Sequence, residues 1–559
     1  MKKEDRIFTA CVLSLVATAF GFIIRAMLLN TLGNVFDLSE SQKGALQGAG
    51  LFPFALSIIV FSLIIDRIGY GHGMAFAWFL HVLSAIITIT ARSYTALYMG
   101  TFLFSLANGT IEAVVNPVTA TLYPKNKTPR IIMLHSGWAA GLVLGGLVAI
   151  ALHDLGWRWK IGLFLLPTLV YGLMMVGQKF PVQERVAAEI SYVSMMNEFG
   201  WLGSLIVCTF AAYAVNEVAL VFGAGFLPTG HTFLTAVAYA LLPTLFFAFH
   251  CRAFGRPMFI FLLLVMILLA ATELGTGNWI PAMLTPVLKS LGTNAGNWVL
   301  VYTSAIMLGL RLFAGPAVRR LSPVGVLGGC SLIAAAGLFC LAHAGNAPLL
   351  IFGAATLYGV GVSLSWPTTI GLASEQFPRG GALTLNAISA VGMISVGILG
   401  GPFLGTLQDA SLDRNLQRVS PALHAAVAEP AQKKFGFDFQ PLDKAKIESL
   451  QGADKAQVEK IVAQTNQAML AKIAILPSIM FGCFLGLGLF LRQRGGYREI
   501  ELARSCISNP WHPGVGETGV KPIYANKLCS QCPAELGSPR DGRGAGKAVP
   551  LLIKKQFKD

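Results

Sequence analysis

Long apolar segments recur through most of this chain, and they constrain its fold more than any other feature of the sequence. A helix needs about 20 mostly apolar residues to cross the hydrocarbon core of a bilayer, where every backbone polar group must be satisfied internally. Fourteen segments have this character, at residues 7–30, 44–64, 72–92, 96–121, 131–152, 160–178, 200–223, 235–251, 257–284, 297–316, 323–343, 348–372, 382–407 and 470–492. The sequence therefore predicts an all-α polytopic membrane protein.

The scarcity of charge supports this prediction and excludes several classes of protein. Charged residues make up 12% of the 559 residues, whereas a soluble protein carries about 25%. A water-soluble enzyme is therefore not expected, and no HExxH, GxSxG or Walker motif suggests a membrane enzyme. The net charge of +15 lies mostly in short connectors between apolar segments, which is not typical of a nucleic-acid-binding face. We expect a protein that is not an enzyme and uses neither a cofactor nor a metal ion.

The same connectors predict the orientation in the membrane. Those on the side of the amino terminus carry most of the basic residues, namely Lys2, Lys3, Arg6, Arg67, Lys125, Lys127, Arg130, Lys179, Arg185, Arg252, Arg256, Arg319, Arg320 and Arg379. The short loops on the other side carry Lys43, Arg92, Arg158, Lys160 and Lys289. The positive-inside rule and the even number of spans predict a multi-pass protein of the plasma (inner) membrane with both termini in the cytoplasm. The first apolar segment exceeds the core of a signal peptide, so we interpret it as an uncleaved span.

Changes in composition divide the chain into four predicted regions. Residues 1–179 and 256–492 are each expected to form a six-helix bundle, and the second bundle carries an external loop at 408–469. Residues 180–255 are expected to form a cytoplasmic linker and two inserted transmembrane helices. Residues 493–559 are rich in Gly and Pro, which predicts a disordered cytoplasmic tail. Cys529 and Cys532 in this tail lack a second pair at zinc-binding spacing, so no metal site is expected there.

An internal repeat relates the two predicted bundles. Each unit consists of a helix, a proline (Pro124 or Pro378), a short basic loop and a Gly-rich helix, at residues 108–146 and 361–401. If the inserted pair is set aside, these helices are the fourth and fifth of two six-helix halves. Two such halves around a central cavity are the architecture of an alternating-access carrier.

Two motifs then resemble those of the major facilitator superfamily. Asp66-Arg67-Ile68-Gly69 follows the second span and resembles the cytoplasmic loop signature of that superfamily. Gly156-Trp157-Arg158-Trp159 precedes the sixth span and is similar to another of its familiar elements. The resemblance implies a 6+6 helix bundle, extended here by two inserted helices to fourteen spans. It also implies that Asp66 and Arg67 form a cytoplasmic gate, whereas a solvated loop would be the alternative.

A longer pattern resembles, more narrowly, the fucose-permease-like sugar/proton symporters. Its residues are Glu112-x-x-x-Asn116-Pro117, followed by Pro124, Arg130, His135 and Trp138. The resemblance implies that Glu112 couples transport to protons and that His135 and Trp138 face the sugar. Glu273-x5-Trp279 also looks like this branch. The acidic residue that the branch carries in its first helix is missing, and Arg25 lies close to that place.

Five charged residues lie away from the ends of the predicted spans and are candidates for a function, namely Arg25, Glu112, Glu217, Glu273 and Arg311. A charge at the centre of a bilayer costs ~2.5–3.5 kcal/mol on insertion scales, so each of them needs a partner or a function. Glu112 is the best candidate for a residue that takes a proton from one side and releases it to the other. A static hydrogen bond to Asn116, one helical turn away, is the alternative. Glu217 lies on the inserted pair and is expected to be structural.

The remaining candidates are polar or aromatic residues that would suit a sugar. Asn108 and Asn116 lie one turn on either side of Glu112, and their amides offer the donors and acceptors that hydroxyl groups need. The full set predicted to bind substrate is Asn108, Asn116, His135, Trp138, Glu273, Asn278, Trp279, Trp366 and Asn386. Ordinary packing and helix capping are the alternatives for these residues. Arg25 and Arg311 are candidates for an anion site or a gate, and Arg25 could instead extend towards the membrane surface.

Three functions remain open at this point. The favoured one is proton-coupled uptake of a monosaccharide or similar small polar solute. The second is transport or exchange of an organic anion, such as a uronate or sugar phosphate, through Arg25 and Arg311. The third is a non-transporting sensor with 408–469 as its ligand domain. In each case we expect a monomer whose partners are a small-molecule substrate, the lipid bilayer and, for the symporter, protons.

Overall fold

The computed structural model of this chain describes residues 2–502, except residues 153, 229–231, 289–291 and 293. All of these residues belong to one compact unit that is almost wholly helical. The predicted disordered tail falls mostly outside the described residues, as do Cys529 and Cys532.

Ten α-helices build the first half of the structure. They are α1 (Lys3–Met27), α2 (Leu29–Val35), α3 (Glu40–Ala49), α4 (Phe52–Ile68), α5 (Tyr70–Ile89), α6 (Tyr94–Leu122), α7 (Lys127–Leu134), α8 (Ser136–Ala151), α9 (Trp157–Gly162) and α10 (Leu165–Met175). The segment that follows contains α11 (Glu184–Ala187) and the inserted pair, α12 (Tyr192–Val221) and α13 (Thr232–Cys251).

Among its described residues, the second half contains twelve α-helices, two π-helical segments, a 3-10 turn and one hairpin. In chain order these are α14 (Pro257–Ala270), the π-helical segment Ala271–Gly275, α15 (Thr276–Leu284), α16 (Ala295–Phe313), α17 (Gly315–His343), α18 (Pro348–Ser363), α19 (Ser365–Gln376), the 3-10 turn Pro378–Gly380, α20 (Gly381–Ser395), the π-helical segment Val396–Phe403, α21 (Leu404–Val419), α22 (Pro421–Val427), β1 (Gln432–Lys434), β2 (Phe437–Phe439), α23 (Lys444–Ser449), α24 (Gly452–Ile473) and α25 (Ile475–Gln493).

Twelve helical stretches in the described part of the chain are long and apolar enough to cross a membrane. The class of fold is therefore as predicted, but the count of fourteen spans is not confirmed. The predicted span 96–121 lies in α6, a buried helix whose hydropathy is lowered by its polar residues. The predicted span 160–178 is divided between α9 and α10, and neither helix alone has the length of a span.

Glycines allow α1 and α8 to pack at very close range. A Cβ atom added at Gly137 would lie 2.3 Å from the carbonyl oxygen of Val12, and one at Gly141 would lie 2.5 Å from that of Val16. Real Cβ atoms do not approach this closely, so the two helices can reach this separation only with glycine at these positions. The glycines of α8 thus let the residues of this helix pack directly against α1.

The inserted pair attaches to the bundle through one of its two helices. Helix α12 packs against α4, α14 and α20, and the Glu198 carboxylate accepts two hydrogen bonds from Arg256 at 3.0 and 3.2 Å. Helix α13 leaves large apolar side chains exposed, including Phe246 and Phe249. Such a surface is suited to contact with lipid.

The predicted external loop folds into a small subdomain. Within it, α23 ends at Ser449 and α24 begins at Gly452. An apolar cluster holds the subdomain together, formed by Leu416, Leu423, Val427, Val458 and Ile461. Gln467 ties α24 to the end of α17, since its amide donates to the carbonyl oxygens of Leu341 (3.0 Å) and Gly345 (2.9 Å).

Candidate functional site

Breaks in helical hydrogen bonding bring polar groups to the centre of the bundle. Pro117 lies inside α6 and has no N–H to donate to the carbonyl of Ala113, four residues earlier. The side-chain amide of Asn386, on α20 of the second half, donates to that carbonyl at 3.0 Å. Asn386, predicted to bind substrate, thus has a structural partner in the first half.

The second half repeats this arrangement. Pro367 follows the break between α18 and α19 and leaves the carbonyl of Ser363 without its helical donor. The Nε of Arg311 donates to this carbonyl at 2.7 Å. Pro117 and Pro367 therefore create one free carbonyl in each half, and a side chain from another helix satisfies each of them.

Glu112, Asn116 and His135 form a chain of hydrogen bonds within the first half. The Asn116 amide nitrogen donates to Oε1 of Glu112 at 3.0 Å, and its oxygen lies 3.0 Å from Nε2 of His135. With the amide in this orientation, Nε2 of His135 is the donor. The same Nε2 lies 3.9 Å from Oε1 of Glu112. All three side chains are buried, so their polar groups depend on one another.

Arg311 and Glu273 form a buried ion pair in which each guanidinium nitrogen and each carboxylate oxygen has a hydrogen-bond partner. Nη2 of Arg311 donates to Oε1 of Glu273 at 2.8 Å, and Nη1 donates to the carbonyl of His135 at 3.0 Å. The other carboxylate oxygen of Glu273 accepts from the backbone N–H of Trp366 at 3.2 Å. Glu273 lies in the π-helical segment Ala271–Gly275, whose irregular geometry is frequent at functional sites.

A further bond to Glu112 crosses between the halves. The hydroxyl of Ser389, on α20, donates to Oε1 of Glu112 at 3.3 Å. Sequence reasoning missed Ser389, because a small hydroxyl in a Gly-rich helix gives no signal of charge or periodicity. Its spacing of three residues from Asn386 places both on one face of α20, and this was the signal available.

These residues surround a small central cavity. Its volume is about 20 Å³, which is room for about one water molecule. Its lining combines charged groups with aromatic and apolar side chains, namely Phe54, Glu112, His135, Trp138, Glu273, Leu274, Arg311, Trp366 and Met393. The structure thus brings Glu112, His135, Trp138, Glu273, Arg311 and Trp366 together around this cavity.

Two residues predicted for the site lie elsewhere in the first half. The Asn108 oxygen lies 2.8 Å from Nε2 of His81, whose Nδ1 lies 3.1 Å from the Tyr171 hydroxyl. The Arg25 guanidinium lies 3.9 Å from the ring centroid of Phe104, and Nη1 donates to the carbonyl of Gly21 at 3.2 Å. Neither residue lines the central cavity. Helical spacing placed Asn108 correctly beside Glu112 but could not show that its amide faces α5.

Asn278 and Trp279 also lie away from the cavity. Asn278 is exposed, and Trp279 is half-buried among residues of α15, α21 and α24. A Cβ at Gly405 would lie 3.3 Å from the Trp279 ring, so this ring packs against the start of α21. Asn278 and Trp279 follow Glu273 by five and six residues, about 1.4 and 1.7 helical turns, so they do not share its face of the helix.

The predicted gate residues have partners other than each other. Asp66 accepts a 2.6 Å hydrogen bond from Arg185, and the Arg67 guanidinium lies 5.3 Å from the ring of Tyr192. The side-chain amide of Gln183 lies between Asp66 and the backbone N–H of Ala382. When the amide nitrogen faces Asp66, it donates to both carboxylate oxygens, and the amide oxygen accepts from the N–H of Ala382 at 2.5 Å. The connecting segment before the inserted pair therefore links Asp66 to α20, a partner that local sequence could not predict.

Comparisons with known proteins agree with this architecture. The profile of the Major Facilitator Superfamily matches residues 9–402. The fold is similar to that of the E. coli fucose:proton symporter FucP, with a TM-score of 0.53 and 15% identity over 86% of this chain and 99% of that one. It is similar to the proton:xylose symporter XylE bound to 6-bromo-6-deoxy-D-glucose, with a TM-score of 0.54 and 15% identity over 85% and 94% of the chains.

A third similar structure is the human organic anion transporter MFSD10, with a TM-score of 0.53 and 13% identity over 87% of this chain and 100% of that one. No curated protein matches the chain by sequence. These identities establish the fold but not the substrate. The family match, the helical architecture and the closed polar centre together show that this chain belongs to the Major Facilitator Superfamily and is a membrane transporter, not an enzyme.

Proposed function

We propose that this protein is a proton-coupled secondary transporter that takes up a monosaccharide or similar small, uncharged polar solute by alternating access. The observation that carries the proposal is the position of Glu112. Its buried carboxyl group lies between the two halves, bonded to Asn116 in its own half and to Ser389 in the other. Among the described residues, His135 is the only basic side chain within 4 Å of it. A carboxyl group in such a place is suited to bind and release a proton.

The charges around the cavity favour an uncharged substrate. Arg311 is the cation of the site, and its three nitrogens already donate to Glu273, Ser363 and His135. With Glu112 protonated, the charges of Arg311 and Glu273 cancel. An arriving anion would have to displace Glu273 from a buried, well-bonded pair, which is costly.

The alternative of organic-anion transport has the fold of MFSD10 in its favour. It requires Arg25 and Arg311 to be available for an anion. Arg25 lies outside the cavity lining and Arg311 is fully bonded, so the geometry gives this alternative less support.

The orientation in the membrane is part of the proposal. We place the side at which α1 begins in the cytoplasm of the plasma (inner) membrane, because its connectors carry most of the basic residues. The chain would then hold both termini inside, and α21–α24 would form an external subdomain.

Uptake into proteoliposomes tests this function. We would present neutral monosaccharides and uronates, with and without an inward proton gradient, to the native protein and to Glu112→Gln. The proposal predicts gradient-stimulated uptake of a neutral sugar that Glu112→Gln loses, while exchange of that sugar without a gradient survives. Glu217→Gln is the matched control, because Glu217 lies on α12 and not in the cavity lining. Uptake confined to anions and indifferent to Glu112 would contradict the proposal, and ligand binding without flux would indicate the sensor.

A further inference from the structure

The closed conformation is held on one side of the bundle by a carboxylate that sequence reasoning did not single out. This is the side at which α1 begins and α19 ends. Oε1 of Glu375, near the end of α19, accepts a 3.0 Å hydrogen bond from the backbone N–H of Thr128. Thr128 is in the first turn of α7, where backbone N–H groups have no helical partner and a negative charge is favourable. Glu375 therefore caps a helix of the opposite half.

Other contacts show that α7 and α19 meet closely at this point. Nζ of Lys127 pairs with Glu184 at 2.7 Å and donates to the carbonyl of Ser374 at 3.4 Å. A Cβ added at Gly371 would lie 2.8 Å from Cα of Thr128. Opening of this side must separate α7 from α19, so it must break the bond between Glu375 and Thr128.

The second oxygen of Glu375 is held by the chain that follows the last helix. The hydroxyl of Tyr497 donates to Oε2 of Glu375. Burial and the neighbouring Glu375 raise the pKa of Tyr497 above its ordinary value, so the hydroxyl keeps its proton and remains a donor. The ring of Tyr497 packs against the main apolar cluster, which fixes the hydroxyl in place.

Two more bonds fasten this segment to the same helix end. The backbone N–H of Ile500 donates to the carbonyl of Glu375 at 3.0 Å, and the Gln376 amide donates to the carbonyl of Arg498 at 2.7 Å. Residues 497–502, which we call the C-terminal strap, thus run along the end of α19. Most of these residues are exposed.

We propose that the C-terminal strap is a built-in regulator of the gate: Tyr497 positions Glu375 so that it caps α7 across the two halves, and loss of the strap contact favours opening of this side. Glu375 is buried, and a free Glu side chain has several rotamers to lose before it can cap. Because the hydroxyl of Tyr497 already holds the Glu375 side chain in one rotamer, little further side-chain entropy is lost when Glu375 caps α7. Tyr497 acts through Glu375 and is a positioning residue. The inference is independent of the substrate and of proton coupling.

A distance measurement across the gate tests this regulator. Spin labels would be placed at Lys125 in the first half and Arg320 in the second, both exposed on this side, in the full chain with its native cysteines replaced. Double electron–electron resonance then measures the distance between the two labels, and from it the populations of the closed and open gate in the absence of substrate. We expect Tyr497→Phe to raise the ratio of open to closed by roughly 3- to 10-fold, as for the loss of one preorganising bond to a charged group.

Two further variants make the result decisive. Tyr302→Phe removes another hydroxyl, one that lies 2.7 Å from the hydroxyl of Thr356 within the second half and does not touch Glu375; it should leave the ratio unchanged. Gln376→Leu releases the strap at Arg498 while leaving Tyr497 and Glu375 intact, and it should shift the ratio in the same direction as Tyr497→Phe. A native-like ratio in both Tyr497→Phe and Gln376→Leu, with thermal stability retained, would overturn the proposal.

Discussion

At the scale of single residues, the site is built on one neutralised ion pair and one carboxyl without a fixed counter-charge. The charge of Arg311 is neutralised by its ion pair with Glu273, and both side chains are buried. Breaking such a pair leaves one charge unpaired inside the protein, which is far more costly than removing both charges together. We therefore assign Arg311 a structural role in the site and propose that Glu112 is the residue whose protonation state changes during transport.

Single and double substitutions test this division of roles. We expect Glu273→Gln to lower the free energy of unfolding by about 3–5 kcal/mol, because Arg311 then stays buried without its partner. The double variant Glu273→Gln with Arg311→Gln should lose much less than the sum of the two single losses. Unfolding of the purified protein in detergent measures all three values. Strictly additive losses would show that the pair does not stabilise the fold as a unit.

A second residue-scale prediction concerns the carbonyl that Pro117 leaves free. Asn386→Ala removes the donor to the Ala113 carbonyl and should cost about 1–3 kcal/mol, the penalty of an unsatisfied buried polar group. Pro117→Ala restores an N–H that can reach the same carbonyl within α6. The double variant should therefore be more stable than Asn386→Ala alone in the same unfolding assay. If Pro117→Ala gives no rescue, the free carbonyl is not what Asn386 satisfies.

The sequence predicted some site residues better than others, for a physical reason. Glu112 and Asn116 are four residues apart on one helix, so their contact follows from helical geometry alone. Asn108 has the same spacing, but the neighbour that its amide meets is His81 on another helix. The partner of Asp66 is Arg185, 119 residues away. Local patterns show which face a residue occupies, and only tertiary packing decides what lies opposite.

At the scale of helices, small residues set how closely the elements approach. Gly141 on α8 has no space for a side chain, because its Cβ would meet the carbonyl of Val16 at 2.5 Å. Gly482 on α25 has no heavy atom within 4 Å of the corresponding position. The two glycines thus differ in whether their surroundings have space for a larger side chain.

This contrast predicts different outcomes for the same substitution. Gly141→Ala must push α1 from α8 and should lower stability by about 1–3 kcal/mol, the usual cost of overpacking. Gly482→Ala should be neutral or slightly stabilising, since alanine favours helix over glycine. The midpoint of thermal unfolding and the yield of monodisperse protein report both effects. Equal behaviour of the two variants would argue against a glycine-dependent contact between α1 and α8.

Helix boundaries were predictable from the sequence where a segment is both apolar and long enough to span the membrane. They were not predictable where polar residues or tertiary packing interrupt that pattern. Helix α6 falls short as an apolar span because it carries Asn108, Glu112 and Asn116, yet it is buried by other helices. The division of residues 157–175 into α9 and α10, and the break between α23 and α24, depend on packing that hydropathy does not encode.

At the scale of the whole molecule, the described conformation is closed at its centre. The cavity has room for about one water molecule, and bonds from Asn386 and Ser389 tie α20 to α6 across it. On the side of α1's start, Glu375 and Lys127 join the halves again. Alternating access requires these contacts to break in turn, with Glu112 placed where the halves separate.

We propose above all that Glu112 carries a proton together with the substrate, and proton movement is the quantity to measure first. Proteoliposomes with a pH-sensitive dye inside would receive a neutral sugar that the native protein transports, with no gradient imposed. We expect the lumen to acidify as the sugar enters, and we expect Glu112→Gln to exchange the sugar without any change in pH. Sugar entry through the native protein with no proton movement, or undiminished proton movement in Glu112→Gln, would show that Glu112 does not carry the proton.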